Sequence, residues 1–223
     1  LLKRQGYDVV GLMMRLWGEP VGGVGNGVHN RCCSPDAMAG ARRVAELLDI
    51  PFYVVDAQET FKRQIVDFFI DGYAAGVTPN PCIECNRHIR WEFLLNKALG
   101  MDADYLATGH YARVRKNGGR YELLKAPDAN KDQSYVLSVM GQAQLAHALF
   151  PVGEYTKPEI RQLARDFNLP VAERAESQDL CFLADGNYRR FLSEYAPDSA
   201  RPGPIVSTGG EVLGQHTGLP FYT

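Results

Sequence analysis

The sequence has 223 residues, a formal net charge of −2, 45% hydrophobic residues and 22% charged residues, which suits a globular protein with one substantial domain and the start of a second. No apolar run reaches membrane-spanning length, so no membrane partner is expected. The five cysteines (Cys32, Cys33, Cys82, Cys85 and Cys181) are odd in number and sparse; they argue against a secreted disulfide framework and for thiol or metal chemistry in a cytoplasmic protein.

The chain opens at Leu1-Leu2-Lys3-Arg4-Gln5-Gly6, which reads as the end of a helix with a glycine cap. It does not begin with Met and it stops inside a patterned segment, so a piece cut at both ends is expected. Residues 7–14 are a short apolar run and predict a buried strand. The glycine-rich stretch 17–31 predicts a loop. Ser34-Pro35 starts a helix whose inner stripe is Ala37, Ala41, Val44 and Leu48. Residues 51–55 predict another buried strand, followed by a helix with Phe61, Ile65, Phe68 and Phe69 on one face.

Thr78-Pro79-Asn80-Pro81-Cys82-Ile83-Glu84-Cys85-Asn86 comes next. Each proline fixes its own φ and pushes its predecessor towards extended geometry, so a stiff loop is expected here. Cysteines held before a helix N-terminus feel its positive end, which favours the thiolate. Trp91, Leu94, Leu95 and Ala98 mark the following helix, ended by Gly100, and residues 104–108 predict a strand. Strands alternating with helices predict an α/β fold with a doubly wound parallel sheet, whose ligands bind at the carboxyl ends of the strands. Thr108-Gly109-His110-Tyr111 falls at such an end, and glycine there permits close backbone approach.

Residues 112–125 predict a hairpin turning at Asn117-Gly118-Gly119. Between residues 108 and 131 lie Arg113, Arg115, Lys116, Arg120, Lys125 and Lys131, an excess of positive charge that would follow a phosphate backbone or simply coat a solvated hairpin. Lys131-Asp132-Gln133-Ser134 is a polar turn opening an apolar helix. Residues 156–159 form a capping box ahead of a stripe of Ile160, Leu163, Ala164 and Phe167. The polar run 176–181 ends in Cys181, and from residue 196 clustered prolines and glycines predict a linker into a small β module. The expected domains are 1–197 and 198–223.

The cysteines leave three chemical readings open. Cys82 and Cys85 would supply half of a zinc site. Cys82, Cys85 and Cys181 would supply three thiolates to an iron–sulfur cluster. Alternatively, Cys85 acts as a nucleophile and Cys181 as its sulfur-carrying or resolving partner.

The motifs together resemble the bacterial tRNA-specific 2-thiouridylases. They are Gly11-Leu12-Met13-Met14, Cys32-Cys33-Ser34, residues 41–45, Thr78-Pro79-Asn80-Pro81 with Cys85-Asn86, residues 107–113, residues 131–135, Ser177-Gln178-Asp179-Leu180-Cys181-Phe182, and Gly214-Gln215-His216-Thr217-Gly218. They run in the family's order over nearly the whole chain. The resemblance implies a parallel sheet of the adenine-nucleotide alpha-hydrolase (PP-loop ATP pyrophosphatase) type, with the start of a β-rich central domain. It implies ATP- and Mg2+-dependent adenylation of a tRNA wobble uridine, followed by sulfur transfer from a persulfide. Cys85 would then be the nucleophile and Cys181 the persulfide carrier, supplied by a sulfur-relay protein or a cysteine desulfurase, with a disulfide between the two at rest. Met14 and Gly109 match ATP contacts. Asn80, Pro81, Cys82, His110, Lys131, Asp132 and Gln133 match tRNA contacts.

Two departures from the family pattern stand out. Its S-G-G-x-D-S-S phosphate loop, expected just before Leu1, is absent, so this chain alone is not expected to adenylate. Cys82 stands where some members carry aspartate, which adds a third thiolate and keeps a [4Fe-4S] cluster among the alternatives. Two other functions stay open: a zinc- or iron–sulfur-stabilised nucleic-acid-binding module, and a PP-loop ATP pyrophosphatase acting on a small molecule.

Overall fold

The computed structural model describes residues 1–20, 28–30, 33–170 and 180–222. Cys32, Ser177, Gln178 and Asp179 of the expected motifs lie outside the described residues. The chain divides into two compact units. One comprises Leu1–Arg15, Cys33–Ala57 and Cys82–Glu176; the other comprises Leu16–Cys32, Gln58–Pro81 and Ser177–Thr223.

The first unit is α/β with parallel strand pairing. Strand β1 (Gly11–Arg15) pairs in parallel with β4 (Phe52–Asp56), in register from Gly11 opposite Phe52 to Arg15 opposite Asp56. Strand β5 (Leu106–Ala107) pairs in parallel with β8 (Ala148–Leu149). Between β1 and β4 runs helix α1 (Pro35–Leu47). The Ser34 hydroxyl accepts its first-turn bond from the Ala37 N–H, and Pro35 lies in that first turn. Helix α3 covers residues 81–99 and is built from Pro81–Glu84, a π-helical Cys85–Leu94 and Leu95–Leu99. Trp91, Leu94, Leu95 and Ala98 from α3 form one core with Leu106, Ala112, Val136, Leu137 and Ala148.

The expected hairpin is present as β6 (Ala112–Asn117) and β7 (Arg120–Lys125). Gly118 and Gly119 turn at φ 54° and 84°, the left-handed pair that a two-residue hairpin loop needs. A Cβ on Gly153 would overlap the Ala112 carbonyl oxygen, so only glycine lets this loop approach the start of β6. Helix α4 is Gln142–Ala146, and α5 is Lys157–Asp166 with its Thr156–Glu159 capping box intact.

The second unit is held by aromatic packing. Helix α2 covers residues 58–74, built from Gln58–Phe61, a π-helical Lys62–Val66 and Asp67–Ala74. Phe69 sits with ring centroids 5.4 Å from Phe182 and 6.1 Å from Phe191, while Phe182 and Phe191 lie 5.7 Å apart. The short β2 (Glu19–Pro20) pairs antiparallel with β3 (Val28–His29), a ladder within the stretch expected to be only loop. Helix α6 (Tyr188–Tyr195) carries Phe191 and Leu192 into the core. Strands β9 (Gly203–Val206) and β10 (Val212–His216) form an antiparallel pair, as the change of texture near residue 196 suggests.

Several expectations are corrected. The strand expected over 7–14 begins only at Gly11, where the ladder starts with the Gly11 N–H donating to the Pro51 carbonyl. The α1 stripe buries Ala37 and Ala45, while Leu48 is the exposed C-terminal cap, past the packed face. Strand β4 is not buried: Tyr53 is 52% exposed, and among the described residues β4 pairs only with β1. On α2 the buried set is Phe61, Ile65, Val66, Phe69 and Tyr73, and the four-residue spacing of Phe61, Ile65, Phe69 and Tyr73 leaves Phe68 outside at 40%. The stripe on α5 is only half-buried and lines an apolar cavity of about 690 Å³. The apolar helix after residue 134 is a single 3-10 turn, Ser134–Leu137.

Candidate functional site

In the first unit, the carboxyl ends of the parallel strands carry the residues expected to bind ligand. Met14 is the penultimate residue of β1 and packs half-buried against the α3 core. Gly109 follows β5, and a Cβ there would meet nothing within 4 Å. The backbone at this strand end can therefore be approached closely on the glycine's open side.

His110 is anchored from every side. Its Nδ1 is hydrogen-bonded to the Thr108 hydroxyl at 2.7 Å, and its ring stands edge-on to Phe150 at 6.1 Å. Only 9% of the residue is exposed. Burial, helped by the positive charge of Arg90 on α3, pulls its pKa down to about 3, so the imidazole is neutral at physiological pH. Phe150 also meets Trp91 of α3 edge-on at 5.6 Å, so a single ring links the strand-end histidine to the cysteine-bearing helix.

The turn at residues 131–134 is tied to the same strand end. The Gln133 N–H donates to the Tyr111 carbonyl, and the Tyr111 N–H donates to Gln133 Oε1 at 3.0 Å. Asp132 accepts from the Ala126 N–H at 2.8 Å and from the Ser134 hydroxyl at 2.7 Å. Burial works against the Asp132 carboxylate, but these bonds outweigh it and hold the pKa below its ordinary value. Asp132 and Gln133 thus use their side chains to shape the turn that presents Lys131 next to the His110 strand end.

Cys82 and Cys85 were expected in a loop ahead of a helix. They lie inside α3 instead, because the helix begins at Pro81 and proline is well suited to a first turn. Cys82 is exposed and Cys85 half-buried. The Asn86 amide donates to the Cys82 carbonyl at 3.0 Å, while its Oδ1 is buried without a partner among the described residues. Glu84 forms an ion pair with Arg87 at 3.3 Å and lies 3.3 Å from His88 Nε2, placing a polar cluster beside Cys85.

In the second unit, Pro79 packs its ring against α2 at Gly72, where a Cβ would come within 3.0 Å of it. That contact fixes the approach to Asn80, which is exposed, and Pro81, which is buried. Cys181 is half-buried in a turn and is followed directly by Phe182 and Leu183, both 1% exposed.

The basic hairpin is partly self-neutralised. Arg115 gives two hydrogen bonds to Glu122, at 3.0 and 2.6 Å, and Arg113 pairs with Glu154 at 3.4 Å. Among the described residues, no group of three or more His, Cys, Asp or Glu is arranged to hold a metal ion. No described helix is long and apolar enough to cross a membrane.

Sequence reasoning misses Phe150 and Arg90 around this site, since neither carries a local motif, and it names Asn86 only as part of the cysteine motif, with nothing to mark its burial.

The family model described as the tRNA methyl transferase HUP domain matches residues 1–185. Curated relatives are similar over the whole chain. The tRNA-specific 2-thiouridylase MnmA of Moorella thermoacetica is 51% identical, that of Chloroflexus aggregans 50% and that of Clostridium perfringens 46%, each across 100% of this chain and 62% of the relative. The chain therefore spans somewhat under two thirds of the length of these relatives. With its parallel strand pairs and open strand ends, the chain belongs to the tRNA methyl transferase HUP domain family.

Proposed function

We propose that this chain is the catalytic portion of an ATP-dependent tRNA-uridine 2-sulfurtransferase of the cytoplasm. The likeness to 2-thiouridylases along the entire chain carries this reading. We take residues 1–197 as its PP-loop-type domain and 198–223 as the start of a β-rich domain.

The chemistry follows from a poor leaving group. The uracil C2 oxygen attacks the α-phosphorus of ATP and expels pyrophosphate, which converts that oxygen into part of a leaving AMP. The terminal sulfur of a persulfide on Cys181 then attacks C2, the C2–O bond breaks, and AMP departs. Attack by the Cys85 thiolate on the Cys181 sulfur breaks the S–S bond and leaves the transferred sulfur on C2 as the thiocarbonyl. The two cysteines end as a disulfide, which a dithiol reductant restores before a persulfide carrier reloads Cys181. Mg2+ would screen the phosphates, and no step here is routed through a metal cluster.

Met14 and Gly109 are the ATP contacts in this scheme. The tRNA contacts are Asn80, Pro81, Cys82, His110, Lys131, Asp132 and Gln133. Asp132 and Gln133 act by holding the turn that presents Lys131. The target base must leave its stack to reach a thiolate, at a cost of a few kcal/mol.

In the full-length protein, Cys85→Ser is expected to abolish 2-thiouridine in tRNA while ATP binding by equilibrium dialysis stays within about twofold. Normal thiolation by that variant would refute the assignment. An iron–sulfur absorption band in anaerobically purified active protein would replace the persulfide route by a cluster route.

A further inference from the structure

The stretch after Cys181 contains no helix or strand until Tyr188, so its shape must come from side chains. Two sets of contacts supply it, both within the second unit. Phe182 is wedged among Phe61, Phe69 and Phe191, at centroid distances of 6.1, 5.4 and 5.7 Å. The polar set centres on Glu19, whose side chain is only 3% exposed. Its Oε2 accepts the Ala184 N–H at 2.7 Å. Arg190 then grips the same carboxylate with both terminal nitrogens, Nη1 to Oε1 at 2.9 Å and Nη2 to Oε2 at 2.7 Å.

Arg190 also reaches back to the stretch itself. Its Nε donates to Asp185 Oδ2 at 2.8 Å and its Nη2 to Asp185 Oδ1 at 3.0 Å. The Asn187 N–H donates to Asp185 Oδ1, and the Asn187 side chain caps α6 by accepting the Arg190 N–H. Ala184, Asp185 and Asn187 are thus pinned in sequence. Glu19 lies in the β2–β3 ladder, and two residues before it the Trp17 ring stands edge-on to Phe191 at 6.4 Å.

A carboxylate this deeply buried is costly to desolvate even when paired, and an apolar side chain of similar size often serves stability better. What an apolar residue cannot do is accept the Ala184 N–H and orient a guanidinium at once. We propose that Glu19, locked by Arg190, is a positioning residue that sets the geometry of the Cys181 segment for sulfur transfer. The sulfur-transfer part of this statement rests on the function proposed above. Glu19→Gln keeps the shape but turns one carboxylate oxygen into a donor facing other donors: an amide nitrogen in the Oε1 place loses the Arg190 Nη1 bond, and one in the Oε2 place loses the Ala184 and Arg190 Nη2 bonds together.

The test is site-resolved alkylation by iodoacetamide, followed by mass spectrometry on the full-length protein. Glu19→Gln is expected to raise the Cys181 rate constant at least threefold, leave that of Cys85 within twofold, and lower kcat for thiolation about tenfold with the tRNA KM unchanged. A Cys181 rate within twofold of the wild type overturns the proposal. If Glu19→Gln does not fold, Asp185→Asn decides: Asp185 is itself half-exposed, the same selective rise is expected at smaller size, and its absence overturns the proposal. A selective rise at Cys181, with normal thiolation by both Glu19→Gln and Cys181→Ser, would keep the anchor and remove the sulfur-transfer role.

Discussion

His110 is the residue whose chemistry the fold alters most. An imidazole in water titrates near 6.5, whereas here burial first, and the Arg90 charge second, bring it to about 3. Because the folded-state pKa lies below the unfolded one, the unfolded chain binds the extra proton between those values. The contribution to stability is complete above pH 6.5 and is lost as pH falls towards 3. Each pH unit in that window costs about 1.4 kcal/mol. Urea unfolding of wild type and His110→Gln from pH 7 to pH 4 should show the wild type losing stability more steeply by roughly that amount per unit. Parallel pH dependences would mean that His110 titrates in the folded protein as it does in the unfolded chain. A neutral imidazole donates or accepts a hydrogen bond, or stacks, but adds no positive charge for an anion.

Helix α2 shows how the elements reach their packing. Both Phe68 and Phe69 suit an apolar stripe by composition, yet the observed spacing of four selects Phe69 and turns Phe68 out. Phe69→Ala is expected to destabilise the protein by about 3–5 kcal/mol, because it leaves a cavity within the Phe182–Phe191 cluster. Phe68→Ala should stay within about 0.5 kcal/mol. Denaturant midpoints measure both, and equal losses would contradict the assigned face. The same helix marks where sequence becomes illegible. Periodicity finds α2 and α3 because burial imposes it, but π turns shift the phase and leave no compositional mark. Pro81 signals a loop to one rule and a helix start to another, and only the fold decides between them. Caps and the hairpin turn at 118–119 are legible because each rests on local backbone geometry. Glu19 and Arg190 lie 171 positions apart, so no local pattern announces their pairing.

At the scale of the molecule, the net charge of −2 gives no general attraction for nucleic acid, so any electrostatic affinity must come from a local track. The hairpin β6–β7 and the turn at 131–134 are the candidate, but its charges are not equivalent. Arg115 is already committed to Glu122 by two hydrogen bonds; the bond from Asn117 first, and those from Arg115 second, hold the Glu122 pKa below its ordinary value. Lys125, at the end of β7, is exposed and acts electrostatically on Asp132 in the turn beside the His110 strand end. A cation that neutralises a phosphate releases counterions, so its removal should flatten the dependence of tRNA affinity on salt. In the full-length protein, Lys125→Ala is expected to lower the slope of log K against log salt by about 1. Arg115→Ala should change it by less than half as much, because that arginine is already neutralised by Glu122. Filter binding across a salt series separates the two. A slope unchanged by Lys125→Ala would place the phosphate track elsewhere than on this hairpin, and it would make the ion pairs of β6–β7 a device for strand pairing alone.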